Sequence, residues 1–235
     1  MNKFMKKTVV LCTAGIMGLT MLTACGSELD PDQIVATVGE DTVTLGTANF
    51  FARLQQASYE TYYAGMMGTT GEEMWNQSDE SGVSYQDSVK EGLMDNLTTM
   101  YVLRQHADEY GVSVTDEEKE SIEKAAKDFI ASNDEETLDQ LTADETTVKE
   151  LLELMTIQAK MREPMMEEAE KAAEADKESG SQESDVDAQA AIDYQYNEII
   201  VGWKKDVKVD VDADVWSKVD FKKKGFTMKQ QEENK

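Results

Sequence analysis

The clearest helical pattern in the chain runs from residue 85 to residue 110 and reads YQDSVKEGLMDNLTTMYVLRQHADEY. Its apolar residues recur every three or four positions, so they fall within about 40° of one line on an α-helix. Ser84 and Asp87 supply a helix start signal, and Gly111 supplies a stop. The stretch therefore predicts a long helix that buries one face. That face consists of Val89, Leu93, Leu97, Met100, Arg104 and Ala107.

Helical patterns continue on both sides of this stretch. Before it, residues 45–65 carry apolar side chains at helical spacing. After it, Thr115 and Glu118 have the spacing of a capping box, which predicts the start of an acidic helix. Thr142 and Glu145 repeat that spacing ahead of a longer helix. The chain is therefore predicted to consist mainly of helices.

A few short segments have the pattern of β-strands instead. Residues 34–38 and 42–45 are rich in Val and Thr, and turn residues separate them, so they predict a hairpin. Residues 207–211, VKVDV, alternate between apolar and polar side chains and predict a late strand that pairs with this hairpin. The expected fold is mainly α, with a small β-sheet formed by an N-terminal hairpin and a C-terminal strand.

Two stretches interrupt the helical pattern. Residues 66–84 lose the periodicity and collect Gly, Ser and Thr, which predicts a mobile loop. Residues 171–187 are rich in Ser, Gly and acids and predict a flexible acidic linker. Pro164 should kink or divide the helix before that linker. After it, residues 187–206 again have a helical pattern.

The N-terminus has the pattern of an export signal. The basic start MNKFMKK precedes an apolar run of about 15 residues, which is shorter than the roughly 20 that a membrane-spanning helix needs. Residues 22–25, LTAC, resemble the bacterial lipobox, whose Cys is lipidated and begins the mature chain. We therefore expect residues 1–24 to be a lipoprotein signal peptide, Cys25 to carry lipid and residues 25–33 to be a tether. The protein would lie lipid-anchored on the extracytoplasmic face of the bacterial cell membrane.

Composition excludes several classes of function. The formal net charge of −25 disfavours nucleic acid as a partner, because phosphates are neutralised by clustered Lys and Arg. Cys12 would leave with the signal and Cys25 would carry lipid, so neither a disulfide nor a thiolate metal site is expected. The single histidine, His106, falls on the solvated side of its helix. Residues 206–214 contain several Asp but lack the Gly and Glu of a calcium loop, so we expect no metal and no cofactor.

Two motifs point to a known family. Residues 35–45, VATVGEDTVTL, are similar to the A-x-V-N-G-x-x-I-T opening of the SurA/PrsA-type extracytoplasmic foldases, and residues 103–118, LRQHADEYGVSVTDEE, are similar to a second family passage. The resemblance covers about residues 34–160 and 188–216. In many members a parvulin-type prolyl isomerase domain lies between these two blocks. Only residues 163–187 occupy that place here.

The resemblance implies a fold and a function. It implies a helical chaperone module over residues 34–170, completed by residues 188–221 and followed by a disordered tail, residues 222–235. It also implies binding of unfolded or nascent secreted polypeptides. Because the isomerase domain is missing and no other catalytic motif is present, we expect binding without catalysis. The alternatives are a peptidyl-prolyl isomerase of the parvulin-containing family and a scaffold or adaptor lipoprotein with one dedicated partner; the oligomeric state stays open.

Methionine and aromatic residues around the predicted loop are the candidate client-binding residues. Methionine is flexible and polarisable, so one surface can fit many sequences. These residues are large and apolar in a segment whose polarity argues against burial. The candidates are Tyr62, Tyr63, Met66, Met67, Met74 and Trp75.

Overall fold

The computed structural model describes residues 19–21, 29–66, 68–178 and 188–228 of the 235-residue chain. Helices form most of these residues, and short strands form two small sheets. The predicted mainly α-helical fold with a small β-sheet is therefore confirmed. Cys25 lies outside the described residues, as do most of the predicted signal peptide and most of the predicted linker.

The strands form two small antiparallel sheets. They are β1 (Leu19–Met21), β2 (Ile34–Val38), β3 (Asp41–Thr44), β4 (Val209–Val211) and β5 (Phe226–Met228). β2 lies between β3 and β4 in the larger sheet, and β1 pairs with β5 in the smaller one. A tight turn joins β2 to β3. Gly39 in this turn has a φ of 58°, which residues with a Cβ atom rarely adopt. The predicted hairpin and its pairing with the late strand are both confirmed.

Helices account for most of the remaining described residues. They are α1 (Leu45–Ser58), α2 (Ala64–Met66), α3 (Gly71–Asn76), α4 (Tyr85–His106), α5 (Asp116–Ser132), α6 (Glu135–Leu141), α7 (Glu145–Glu178), α8 (Ala188–Asp206) and α9 (Ala213–Ser217). A π-helical turn, Tyr59–Tyr63, connects α1 to α2, and a 3-10 turn, Ala107–Tyr110, extends α4. Gly111 adopts a φ of 64° and ends that run as predicted.

The predicted helix caps are only partly correct. Thr115 and Glu118 form the predicted capping box, in which Glu118 N donates to Thr115 Oγ1 (3.3 Å) and Thr115 N donates to Glu118 Oε2 (2.8 Å). The predicted Thr142 cap of α7 is wrong, because Thr142 adopts a φ of 50° and closes α6. Asp144 caps α7 instead, since its Oδ1 accepts a hydrogen bond from Thr147 N at 2.7 Å.

Helix α7 is longer than the sequence predicts. It continues through Pro164 without division and extends to Glu178, so residues 171–178 are helical and do not belong to a linker. These residues include Ala, Glu and Lys, which are strong helix formers. Ala169 and Ala173 are also buried, which gives this end of α7 a packed face.

Helix α4 lies at the centre of the core, where it contacts α1, α7, α8 and β2. The predicted buried face is confirmed at Leu93, Leu97 and Met100. The buried arc is wider than one face, because Thr98 and Val102 are also buried by elements on the other sides of the helix. Truncating a buried Leu of this kind to Ala would cost about 2–5 kcal/mol.

The C-terminal residues pack onto the body of the protein. The sequence predicts a disordered tail from residue 222, yet residues 226–228 form β5 and the Phe226 side chain is fully buried. The prediction of disorder is wrong for residues 222–228. Phe226, and Phe221 just before the predicted tail, are both buried in the body of the protein, which composition alone does not reveal.

Candidate functional site

A π-helical turn exposes three large apolar side chains. Tyr62 and Tyr63 lie in this turn with 63% and 47% of their surface exposed, and Met66 follows in α2 with 78% exposed. π-helical turns often mark functional sites, because they break the regular packing of a helix. We call Tyr62, Tyr63 and Met66 the surface patch.

The structure divides the predicted client-binding residues into two groups. Tyr62, Tyr63 and Met66 are exposed, whereas Met74 and Trp75 are completely buried and cannot contact a partner at the surface. The predicted mobile loop is also wrong at this point, because residues 71–76 form α3. A capping box between Thr70 and Glu73 starts that helix. Met67 lies outside the described residues.

A cluster of aromatic rings contacts Tyr63 of the surface patch. The Tyr63 ring lies 5.1 Å from the Tyr59 ring, which in turn meets the Trp75 ring edge-on at 5.7 Å. Trp75 stacks on Tyr85 at 5.7 Å and contacts Phe221 at 5.0 Å. Aromatic pairs at these distances contribute about 0.5–1.5 kcal/mol beyond their burial. Tyr63 therefore lies against a packed group of aromatic rings.

Glu60 joins the π-helical turn to this cluster. Trp75 Nε1 and Gln56 Nε2 both donate to Glu60 Oε1 at 2.7 Å, and Phe226 N donates to Oε2 at 2.7 Å. Burial raises the pKa of Glu60, although these hydrogen bonds and the charge of Arg53 act in the opposite direction. Gly71 leaves room for this side chain, because a Cβ there would lie 2.7 Å from Glu60 Cγ.

Arg53 is buried in α1, about two helical turns before Glu60. Its Nε donates to Asn49 Oδ1 (3.2 Å), and its Nη1 donates to Gln56 Oε1 (2.6 Å) and to the Asp220 carbonyl (3.2 Å). Burial lowers the pKa of the guanidinium to about 10, which still leaves it charged at neutral pH. The guanidinium also lies 5.2 Å from the centre of the Phe226 ring.

Further side chains bind the main chain of residues 220–228, which we call the C-terminal segment. Gln56 Nε2 donates to the carbonyl oxygens of Phe221 (3.2 Å) and Lys224 (2.6 Å). Phe221 N donates to Gln86 Oε1 at 2.6 Å, and Met228 N donates to Thr61 Oγ1 at 3.0 Å. The C-terminal segment is therefore held by polar groups of α1, the π-helical turn and the start of α4.

The sequence contains a signal for this polar row that our sequence predictions missed. Asn49, Arg53 and Gln56 recur at spacings of four and three, so they share one side of α1, and Glu60 follows four residues later in the π-helical turn. Polar residues at that spacing in an otherwise apolar helix normally indicate a solvated face. Here Arg53 and Gln56 are buried against the C-terminal segment, whereas Asn49 is buried against the end of α6, where its Nδ2 donates to the Gln140 carbonyl at 3.0 Å.

Two other polar side chains, those of Lys90 and His106, are less exposed than polar side chains on a helix usually are. Lys90 is buried in α4, where its Nζ donates to the Trp216 carbonyl at 3.1 Å and burial lowers its pKa. His106 is not fully solvated, because its ring stacks on Trp203 of α8 at 4.2 Å with an interplanar angle of 7°. Its Nδ1 lies 2.9 Å from Glu109 Oε1. Both residues connect helices to neighbouring elements.

The described residues contain neither a cluster of metal ligands nor a membrane-spanning helix. Among them, no three His, Cys, Asp or Glu side chains converge as a metal site would require. In the Asp-rich segment, Asp212 caps α9 by accepting from Val215 N at 3.0 Å. No helix in this part of the chain is both long enough and apolar enough to cross a membrane.

Comparisons with protein-family models, with curated proteins and with solved structures each found no match. The resemblance to the SurA/PrsA-type foldases therefore stays a prediction from the sequence. Any function must be argued from the residues themselves.

Proposed function

We propose that this protein is a membrane-tethered extracytoplasmic chaperone, or foldase-like lipoprotein, that binds unfolded or nascent secreted polypeptides without catalysis. The observation that carries the proposal is the surface patch. Tyr62 and Tyr63 in the π-helical turn and Met66 in the adjoining α2 lie within five consecutive residues and are exposed. Grouped exposed apolar residues on a soluble domain often indicate an interaction site.

The chemistry of the patch suits loose binding of many sequences. Tyrosine offers a rigid ring and one hydroxyl group, so it contacts apolar and polar segments at low entropic cost. Met66 has an unbranched, polarisable side chain that can adapt to different partners. The aromatic cluster fixes the position of Tyr63, so binding would order only the client.

Negative charge on the segment that follows the patch in the sequence supports the solubility of a complex. Glu73 accepts hydrogen bonds from Thr70 and Thr69, which lower its pKa. The Ser81 hydroxyl and the Val83 amide likewise lower the pKa of Asp79. Both carboxylates therefore stay ionised at neutral pH, and the formal net charge of the whole chain is −25. Charge of this size opposes aggregation of the protein with its clients.

The proposed location rests on the N-terminal sequence. Lipid on Cys25 would bury two acyl chains at about 0.8 kcal/mol for each methylene, which is enough for stable anchoring. An anchored chaperone would meet secreted chains while they are still unfolded. Radioactive palmitate incorporation that is lost in Cys25→Ser would support the anchor, and labelling that survives this substitution would argue against it.

A light-scattering assay tests the binding function. A denaturant-unfolded enzyme is diluted into buffer with or without the chain from residue 25 to residue 235. We expect this chain to slow aggregation at a stoichiometric ratio, and we expect the triple substitution Tyr62→Ser, Tyr63→Ser and Met66→Ser to remove most of that effect. A matched control replaces Tyr194 and Val201, two exposed apolar residues of α8, with Ser. Equal protection by the wild type and the triple variant would refute the role of the patch.

The same preparation separates the proposal from its two alternatives. A protease-coupled assay with a proline peptide would reveal a prolyl isomerase by a catalysed rate. A pull-down that returns one stoichiometric protein and no unfolded chains would indicate an adaptor with a dedicated partner. The chaperone proposal expects neither result.

A further inference from the structure

We propose that the groove occupied by the C-terminal segment is a binding site for extended peptides, and that client segments compete with this segment for it. The inference rests on the proposed chaperone function and adds the mode of client recognition. The groove is formed by α1, the π-helical turn and the start of α4. It ends beside the surface patch, since Thr61 holds Met228 N immediately before Tyr62.

The first argument is the kind of contact that holds the C-terminal segment. Arg53, Gln56 and Glu60 bind the Asp220 and Lys224 carbonyls and the Phe226 amide, which are all main-chain atoms. Thr61 and Gln86 likewise bind main-chain amides. Main-chain atoms are the same in every polypeptide, so such contacts are insensitive to sequence. This is how proteins recognise extended peptides of varied sequence.

The second argument is the spacing of the apolar anchors. Phe221 contacts Trp75, and Phe226 lies against Arg53, while the intervening Lys222 and Lys223 side chains are exposed. Between the anchors, the Lys224 side chain donates to Gln140 Oε1 of α6, so this position is also contacted. The groove thus selects two aromatic residues separated by four others and leaves the Lys222 and Lys223 side chains exposed. An unfolded secreted chain offers many segments of this kind. The ligand is therefore an extended segment with two aromatic anchors.

The C-terminal segment follows the helices that build the groove and comes after α9 in the chain. Its only regular part within the described residues is β5, and the partner strand β1 lies in the predicted signal peptide, so the chain that begins at residue 25 would hold the segment without that strand. It can therefore leave the groove without unfolding α1 or α4. A tethered competitor has an effective concentration of the order of mM, so weak clients are excluded and strong ones are admitted.

A substitution that weakens the segment should strengthen client binding. Phe226→Ala removes one anchor, so the groove is free for a larger fraction of the time. We expect this variant of the chain from residue 25 to residue 235 to bind a fluorescent peptide DFKKKGFTM, the sequence of residues 220–228, at least tenfold more tightly than the wild type. The same peptide with both Phe replaced by Ser should not bind.

The matched control is Phe129→Ala. Phe129 is an equally buried ring in α5, an element that does not form the groove, and it packs on Phe50 at 5.3 Å, so its loss destabilises the protein without removing an anchor of the C-terminal segment. We expect peptide affinity in this variant to equal that of the wild type. An equal gain in both variants would overturn the proposal, because general loosening would then explain it, and unchanged affinity in a folded Phe226→Ala variant would also overturn it.

A measurement on the wild-type protein tests whether a client displaces the C-terminal segment, even if the Phe226→Ala variant fails to fold. Hydrogen exchange at the Phe226 and Met228 amides, and trypsin cleavage at residues 222–224, both report release of the segment. We expect an unfolded client to accelerate both at least threefold. If a client binds but exchange and cleavage in the C-terminal segment stay unchanged, this inference fails and the chaperone proposal stands. If no client is held at all, both fail.

Discussion

Gly71 offers a sharp test of the packing of the π-helical turn. Replacing a glycine at the start of a helix with alanine usually stabilises a protein by about 0.4–1 kcal/mol, because the unfolded chain loses freedom. At Gly71 the new Cβ would lie 2.7 Å from Glu60 Cγ and 2.9 Å from Glu60 Cδ. The Glu60 side chain would have to move.

The cost of that movement follows from the contacts of Glu60. Its carboxylate accepts hydrogen bonds from Trp75, Gln56 and Phe226, each at 2.7 Å. Losing one hydrogen bond to a charged group costs about 1.5–3 kcal/mol, which exceeds the usual gain from alanine. We therefore expect Gly71→Ala to lower the free energy of unfolding by about 1–2 kcal/mol.

Urea unfolding followed by far-UV circular dichroism measures this effect. Gly65→Ala is the matched control, because Gly65 lies in α2 and a Cβ there would meet nothing within 4 Å. We expect the control to be neutral or slightly stabilising. A Gly71→Ala variant that is as stable as the control would show that Glu60 is not held as described.

Two further predictions concern other parts of the structure. Asp144→Ala should lower the free energy of unfolding by about 1 kcal/mol through loss of the α7 cap, and an unchanged urea midpoint would contradict this. Tyr101→Phe should cost about 1–2 kcal/mol at neutral pH, because the hydroxyl of Tyr101 donates to Glu150 Oε1 at 2.8 Å. Burial, followed by Glu150, raises the pKa of Tyr101, so the folded protein keeps a proton that the unfolded chain releases near pH 10. Wild-type stability should therefore fall as the pH rises above 10, and Tyr101→Phe should show less of that fall in thermal melts than the exposed-site control Tyr194→Phe.

The regular elements are the part of the fold that the sequence predicts well. The helix at Tyr85–His106 follows from apolar spacing, and its end follows from Gly111, because both signals act within a few residues. The pairing of β4 with the hairpin is also correct, since alternation marks a strand and few other strands are available to pair with it. Local signals are therefore sufficient for these elements.

The candidate site shows where local signals are insufficient. Trp75 looks exposed in a Gly- and Ser-rich stretch, but it is buried against the nearby Tyr85 ring and the distant Phe221 ring. Arg53 and Gln56 of α1 look solvated, but they are buried against residues 220–228. Both errors involve the same C-terminal segment, because burial by residues more than a hundred positions away leaves no mark in the nearby sequence.

The central position of β2 has a consequence for how the protein folds. Residues 36–38 pair with residues 209–211, so a strand near the start of the domain is completed by one near its end. A contact between such distant residues forms slowly, because a long loop must close first. As the chain emerges during synthesis, the hairpin must therefore wait for the last elements before the sheet is complete. One edge of β2 therefore stays unpaired until most of the chain has been made, and an unpaired strand edge can pair with another chain in the meantime.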